Sequence, residues 1–257
     1  NVMSFGLCNA PATCQRLMDR VLSNLNWTSC LVYLDDILVI GRTVEETMER
    51  LEHVLERLRD AGLKLKPSKC FLFQKELTYL GHIISGKGIQ TDKSKIQTIL
   101  DWPAPKSVKD LRSFLGLAKY YSRFVENFSS LAGPLFDLTK KSAKFVWTGD
   151  CQNAFEALKQ KLTSTHILGY PNDEGEFVLD TDASDRAVGG VLSQVQDGEE
   201  RVIGYYSKTL SPAECNYCVT RRELLAVVKA TDHFRQYLLG RRFVIRSDHS
   251  SLQWLVN

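Results

Sequence analysis

Residues 31–38 read LVYLDDIL, two adjacent carboxylates between short runs of aliphatic and β-branched residues. Such runs read as two buried strands, and strands this short make a hairpin with Asp35 and Asp36 at its bend. Carboxylates flanked by core strands are costly unless their charge is compensated. A hard divalent cation, which prefers oxygen ligands, is the obvious compensator. A rigid, strand-borne acidic pair holding magnesium is what phosphoryl transfer needs. The same residues also fit an ordinary Asp-Asp β-turn, because aspartate is a common turn former. Taken alone, they leave both readings open.

The neighbouring strings narrow the choice. FGLCNAPATCQRLMD (5–19) lies upstream of the acidic pair, and GLKLKPSKC (62–70) and ELTYLGHIIS (76–85) follow it. The second half carries TDAS (181–184), TRREL (220–224) and RSDHSSL (246–252). In this order the first set resembles the reverse transcriptase of gypsy-type LTR retrotransposons (Metaviridae) and related retroviruses. The second set resembles the first three acidic motifs of the ribonuclease H domain fused to it. The resemblance runs over nearly the whole chain.

The resemblance implies an RNA-directed DNA polymerase with a fused ribonuclease H. Both would work by two-metal phosphoryl transfer, with two Mg2+ ions per active site and Mn2+ as a possible substitute. RNA template, DNA primer, RNA–DNA hybrid and dNTPs are the implied partners. Asp35 is implied as a direct metal ligand and Asp36 as its acidic neighbour. Phe5, Gly6 and Gln15 match the loop and helix beneath the incoming nucleotide and template, although Cys14 stands where the family usually has Phe. Lys69 matches the loop lysine proposed to protonate pyrophosphate, and a plain exposed lysine is its rival reading. Leu80 and Gly81 match the primer grip, where a residue without Cβ lets a DNA backbone come close.

In the second half, Asp182, Glu223 and Asp248 match three of the family's four metal-binding carboxylates and should converge on one site. Each has a simpler rival. Asp182 could be a turn residue, Glu223 the N3 partner of a Thr220 capping box, and Asp248 a helix N-cap. Asp180 shares a strand face with Asp182 but belongs to no motif, and His249 reads as structural. The third polymerase aspartate would lie upstream of the Gly-containing loop, and the fourth ribonuclease H carboxylate beyond Asn257. The chain therefore reads as an internal fragment, inactive or weakly active alone. The alternative is a non-catalytic nucleic-acid-binding remnant of a decayed retroelement.

The elements that must hold these groups are legible from periodicity. A helix is expected over 9–25, a hairpin over 29–41, and an amphipathic helix from Thr43 to Ala61, with Thr43 and Glu46 as a capping box and Gly62 at C′. Residues 76–85 read as one strand. Helices follow over 93–100, 107–118, 131–138 and 151–162. From Glu176 the pattern becomes three β-rich runs, a long helix over 219–238 and another strand, FVIRSD. That is the opening order of a ribonuclease H fold. The expected fold class is α+β and α/β multidomain: a partial reverse transcriptase palm lacking its fingers (1–88), a thumb (89–143), a tether (144–172) and an incomplete ribonuclease H-like domain (173–257).

Composition is that of an ordinary globular protein, and the net charge of +3 is compatible with a nucleic-acid partner without demanding one. Residues 101–145 interleave lysines and arginines with aromatics, which fits a phosphate-backbone track or a solvated helix face over an aromatic core. Seven scattered cysteines suggest reduced thiols and an intracellular setting, which the resemblance narrows to cytoplasm or virus-like particles. Cys215 and Cys218 have no second pair to complete a zinc site. No apolar run approaches the ~18 residues of a membrane span, and the chain begins in mid-motif, as if cut from a longer protein.

Overall fold

The computed structural model describes residues 6–164 and 167–255, with side chains through Leu252. The chain divides into two compact units, Asn1–Leu80 and Gly81–Asn257.

The first unit begins with α1 (Ala10–Val21), which opens on a proline in its first turn. It ends four residues earlier than expected, since the chain passes through left-handed backbone at Asn24 and Trp27. β1 (Cys30–Tyr33) and β2 (Asp36–Val39) pair antiparallel from Cys30↔Val39 to Tyr33↔Asp36. α2 (Val44–Asp60) follows. The Thr43 hydroxyl caps it by accepting the Glu46 N–H at 3.2 Å, while the Glu46 carboxylate accepts the N–H of Arg42 rather than that of Thr43. The expected capping box is thus displaced by one residue. Helical spacing brings Val54 and Leu58 of α2 onto Met18, Leu22 and Cys30, which together make the core of this unit. A 3-10 turn (Pro67–Lys69) and β3 (Glu76–Tyr79) complete it.

The strand expected over 76–85 is interrupted. Leu80 and Gly81 both adopt positive φ, 48° and 72°, which a strand cannot contain, and Gly at the second position makes the turn affordable. The second unit then starts with the hairpin β4 (His82–Ser85) and β5 (Gly88–Thr91). α3 (Lys93–Leu100) is capped by Asp92, and α4 (Val108–Tyr120) by Ser107, as its sequence suggested. After a 3-10 turn (Ser122–Phe124) come α5 (Phe128–Leu131), α6 (Gly133–Leu138) and α7 (Gly149–Thr163). Their apolar faces form one core around Phe114, Tyr121, Phe155 and Leu158. Most aromatics of the basic stretch are therefore core residues, which decides for the solvated-face reading; Tyr120, half exposed, is the exception.

β6 (Phe177–Ala183), β7 (Ala187–Gln196), β8 (Glu199–Thr209), α8 (Pro212–Cys215), α9 (Val219–His233), α10 (Arg235–Leu238) and β9 (Phe243–Arg246) follow. The helix expected over 219–238 is two helices, broken at Phe234. The sheet order is β8-β7-β6-β9, with β9 parallel to β6 and the other neighbours antiparallel. The α5 region packs on this sheet, where the Ser129 N–H donates to the Ser207 hydroxyl at 2.9 Å. The residues expected as thumb, tether and ribonuclease H-like domain thus lie in one compact unit.

Gly190 sets how closely α9 approaches the sheet: a Cβ there would lie 2.8 Å from the Ala230 Cβ. Gly190→Ala should cost about 1–3 kcal/mol through overpacking, read as a lower denaturant midpoint. Ala230→Gly added to it should recover part of that loss through coupling. An unchanged midpoint for Gly190→Ala would mean that α9 is not seated tightly on β7.

Candidate active sites

Asp182 lies near the end of β6, opposite Gly189 of β7. Glu223 sits in the first turns of α9, and Asp248 follows β9. The crossover from β8 through α9 to β9 brings together residues 41 and 25 positions apart, and one carboxylate oxygen from each lies within 4.8 Å of the others. Asp182 and Asp248 are exposed, whereas Glu223 is 5% exposed. One Glu223 oxygen is buried with no hydrogen-bond partner among the described residues. Burial pushes the Glu223 carboxyl above its ordinary range, and repulsion from Asp182 and Asp248 adds to the shift. A buried, unpartnered carboxylate oxygen beside two further carboxylates is a donor set suited to a hard divalent cation.

The simpler readings of Glu223 fail. Cys218 is the N-cap of α9 and makes no side-chain cap bond, so Thr220 does not form a box with Glu223. The Thr220 hydroxyl instead meets His249 Nε2 at 2.9 Å, tying the segment after β9 to the start of α9. Asp180 takes no part in the cluster. Its carboxylate is held by Arg246 at 2.8 and 2.9 Å, and Arg246 also pairs with Glu200.

In the first unit, Leu34 and Asp35 form the two-residue turn of the β1–β2 hairpin, and Asp36 opens β2. Both aspartates are exposed. The strands differ from expectation rather than the acidic pair: β1 and β2, expected to be buried, are only partly so. Leu34 has φ 56°, a left-handed conformation that costs a non-glycine residue about 1 kcal/mol or more. The Gln15 side chain of α1 stabilises it. Gln15 Oε1 accepts the Leu34 N–H at 2.7 Å, and its Nε2 donates to Asp19 at 2.9 Å. Spacing alone did not reveal this link, because the two residues are 19 positions apart.

A family profile described as "Reverse transcriptase (RNA-dependent DNA polymerase)" matches residues 1–84, and one described as "RNase H-like domain found in reverse transcriptase" matches 147–245. The Pol polyprotein of transposon 297 from Drosophila melanogaster is 44% identical over 99% of the chain. The chain belongs to the reverse transcriptase–ribonuclease H family of retrotransposon Pol polyproteins. The Tf2-3 polyprotein of Schizosaccharomyces pombe is 36% identical over 98% of the chain. The chain spans 24% of the first of these relatives and 19% of the second. Among solved structures, the foamy viral protease-reverse transcriptase in complex with dsDNA matches with TM-score 0.83 and 27% identity, over 99% of this chain and 53% of that one. The same viral protein in complex with an RNA/DNA hybrid matches with TM-score 0.81 and 27% identity, over 98% of this chain and 34% of that one.

The fold class is therefore the mixed α+β reverse transcriptase followed by a ribonuclease H-like domain. Of the other positions that the sequence resemblance singled out, Lys69 is exposed at the end of its 3-10 turn, and Gly6 is exposed with φ 87°. Phe5 lies outside the described residues. Leu80 and Gly81 form the left-handed turn between β3 and β4. Cys215 and Cys218 are free thiols, and among the described residues the grouping of three or more potential metal ligands is the Asp182–Glu223–Asp248 cluster. Among the described residues no helix is long and apolar enough to cross a membrane.

Proposed function

We propose that this segment supplies catalytic groups for RNA-directed DNA synthesis and for cleavage of RNA in RNA–DNA hybrids. The observation that carries the reading is the convergence of one carboxylate oxygen each from Asp182, Glu223 and Asp248 within 4.8 Å, with one Glu223 oxygen buried and unpartnered among the described residues. These three residues would hold Mg2+, with Mn2+ as a substitute, and Asp35 would hold it in the polymerase site with Asp36 beside it. A bound divalent ion there supplies Lewis-acid charge stabilisation for phosphoryl transfer. The chain's own groups do the rest. Glu223 presents a fixed charge from a rigid helix, while exposed Asp182 and Asp248 leave the site open to a phosphate backbone. The Thr220–His249 contact orients the segment that bears Asp248. Gln15 holds the strained turn that bears Asp35, and Lys69, exposed at the end of its 3-10 turn, would donate a proton to departing pyrophosphate.

The substrates in this reading are RNA template, DNA primer and dNTPs for the polymerase, and RNA–DNA hybrid for the nuclease, inside the cell or in virus-like particles. Residues 1–88 act as palm, 89–143 as thumb, 144–172 as tether and 173–257 as the ribonuclease H-like domain. A converged, intact acidic cluster with an unpartnered oxygen disfavours the non-catalytic remnant.

Thermal melts with and without metal test the cluster. Mg2+ at about ten times its Kd should stabilise the wild type by ~1.4 kcal/mol, or about 3–5 °C for a unit of this size. Glu223→Gln removes a buried charge crowded by two others, and its amide can donate to the neighbouring carboxylates. The variant should therefore melt higher than wild type without metal, by about 2–4 °C, and lose the Mg2+ response. A variant that melts lower without metal and keeps the full response would end the metal-site reading.

A further inference from the structure

The turn assigned to primer binding is anchored by a residue that no motif marks. Tyr121, just past the C-terminal end of α4, is 1% exposed. A buried phenol needs a partner for its hydroxyl, and that of Tyr121 donates to the Gly81 carbonyl at 2.7 Å. Gly81 fits against it closely: a Cβ on Gly81 would lie 3.4 Å from the Tyr121 hydroxyl and 3.6 Å from the Tyr120 ring. The next residue, His82, is enclosed by three rings, with centroids 5.2 Å from Tyr120, 5.6 Å from Tyr121 and 5.6 Å from Phe124. The backbone at Gly81 and the end of α4 are therefore one rigid assembly, although 40 residues separate them. Burial pushes the Tyr121 phenol up to about 12, with Asp92 and Tyr120 adding to the shift, so it remains a donor at any neutral assay pH.

We propose that Tyr121 is a positioning residue for primer binding: its hydrogen bond to the Gly81 carbonyl holds the Leu80–Gly81 turn in place for the primer's phosphate backbone. The inference rests on the polymerase reading and adds to it the residue that sets the turn. Tyr121 need not touch nucleic acid, because it is buried. It acts through the backbone it holds.

Tyr121→Phe removes one oxygen, keeps the ring in the core, and leaves the Gly81 carbonyl without this donor. In the full-length reverse transcriptase carrying this segment, steady-state extension on a heteropolymeric template–primer should show the primer–template KM raised about tenfold, with kcat within twofold of wild type. Phe155→Leu is the control for a purely structural role. Phe155 is buried in the same core but packs on Phe114 rather than on His82, so the variant should lower the melting temperature at least as much yet leave KM within twofold. An unchanged KM in Tyr121→Phe, or equal KM increases in both variants, would overturn the proposal. A full-length wild type that fails to extend the primer would instead overturn the polymerase reading, and the role of Tyr121 with it.

Discussion

Cleavage of the RNA strand of a hybrid should disappear in Asp182→Asn while primer extension by the same full-length protein persists. Asparagine keeps the shape and one oxygen of the side chain but removes the charge. At Asp182 that charge is one of three carboxylates within 4.8 Å. A divalent ion held by three carboxylates loses a large share of its compensation when one becomes neutral. Mutating groups that merely orient a metal ligand typically costs 10–100-fold, so loss of the ligand itself should lower hybrid cleavage by more than about 100-fold. Extension is spared because Asp35 and Asp36 belong to the other compact unit. A gel assay on a 5′-labelled RNA annealed to DNA reads the first outcome, and dNTP incorporation reads the second. Cleavage within about threefold of wild type would remove Asp182 from the reacting site; joint loss of both activities at full protein stability would show that the two sites are not independent.

Asp35→Asn should have the reciprocal effect: extension lost by more than about 100-fold, with hybrid cleavage retained and primer–template affinity little changed. Asp35 occupies a turn whose preceding residue, Leu34, is held in left-handed backbone by Gln15. Strain maintained by a specific hydrogen bond marks a position where orientation matters more than local stability. The side chain is exposed, so the substitution should leave the melting temperature unchanged within about 1 °C. Anisotropy with a labelled primer–template checks affinity, and single-nucleotide incorporation checks rate. Loss of binding in proportion to loss of extension would recast Asp35 as a phosphate-sensing or structural residue rather than a catalytic one.

Much of this molecule is legible in its residues because the relevant information is local. The Thr43 and Ser107 caps, the apolar spacing of α2 and the alternation in β6 to β8 depend on side chains a few positions apart, and helix and strand periods expose them directly. The acidic pair in LVYLDDIL is legible for the same reason: a two-residue turn needs only its own flanks. Other features were beyond local reading. The chain break at Leu80–Gly81 was hidden inside an alternating run, because nothing but its backbone conformation interrupts the β pattern. The split of the helix at Phe234 depends on what α10 packs against. Motif order proposed that Asp182, Glu223 and Asp248 belong together, but only the crossover from β8 through α9 to β9 places their oxygens within 4.8 Å and buries one of them. The contacts of Gln15 with Leu34, Thr220 with His249 and Tyr121 with Gly81 span 19, 29 and 40 residues. Each is a single polar bond, and no periodicity records it. Side-chain period thus determined which elements form, whereas tertiary packing decided which carboxylate loses its water and which backbone groups are held, because desolvation and long-range hydrogen bonds exist only once the units have closed.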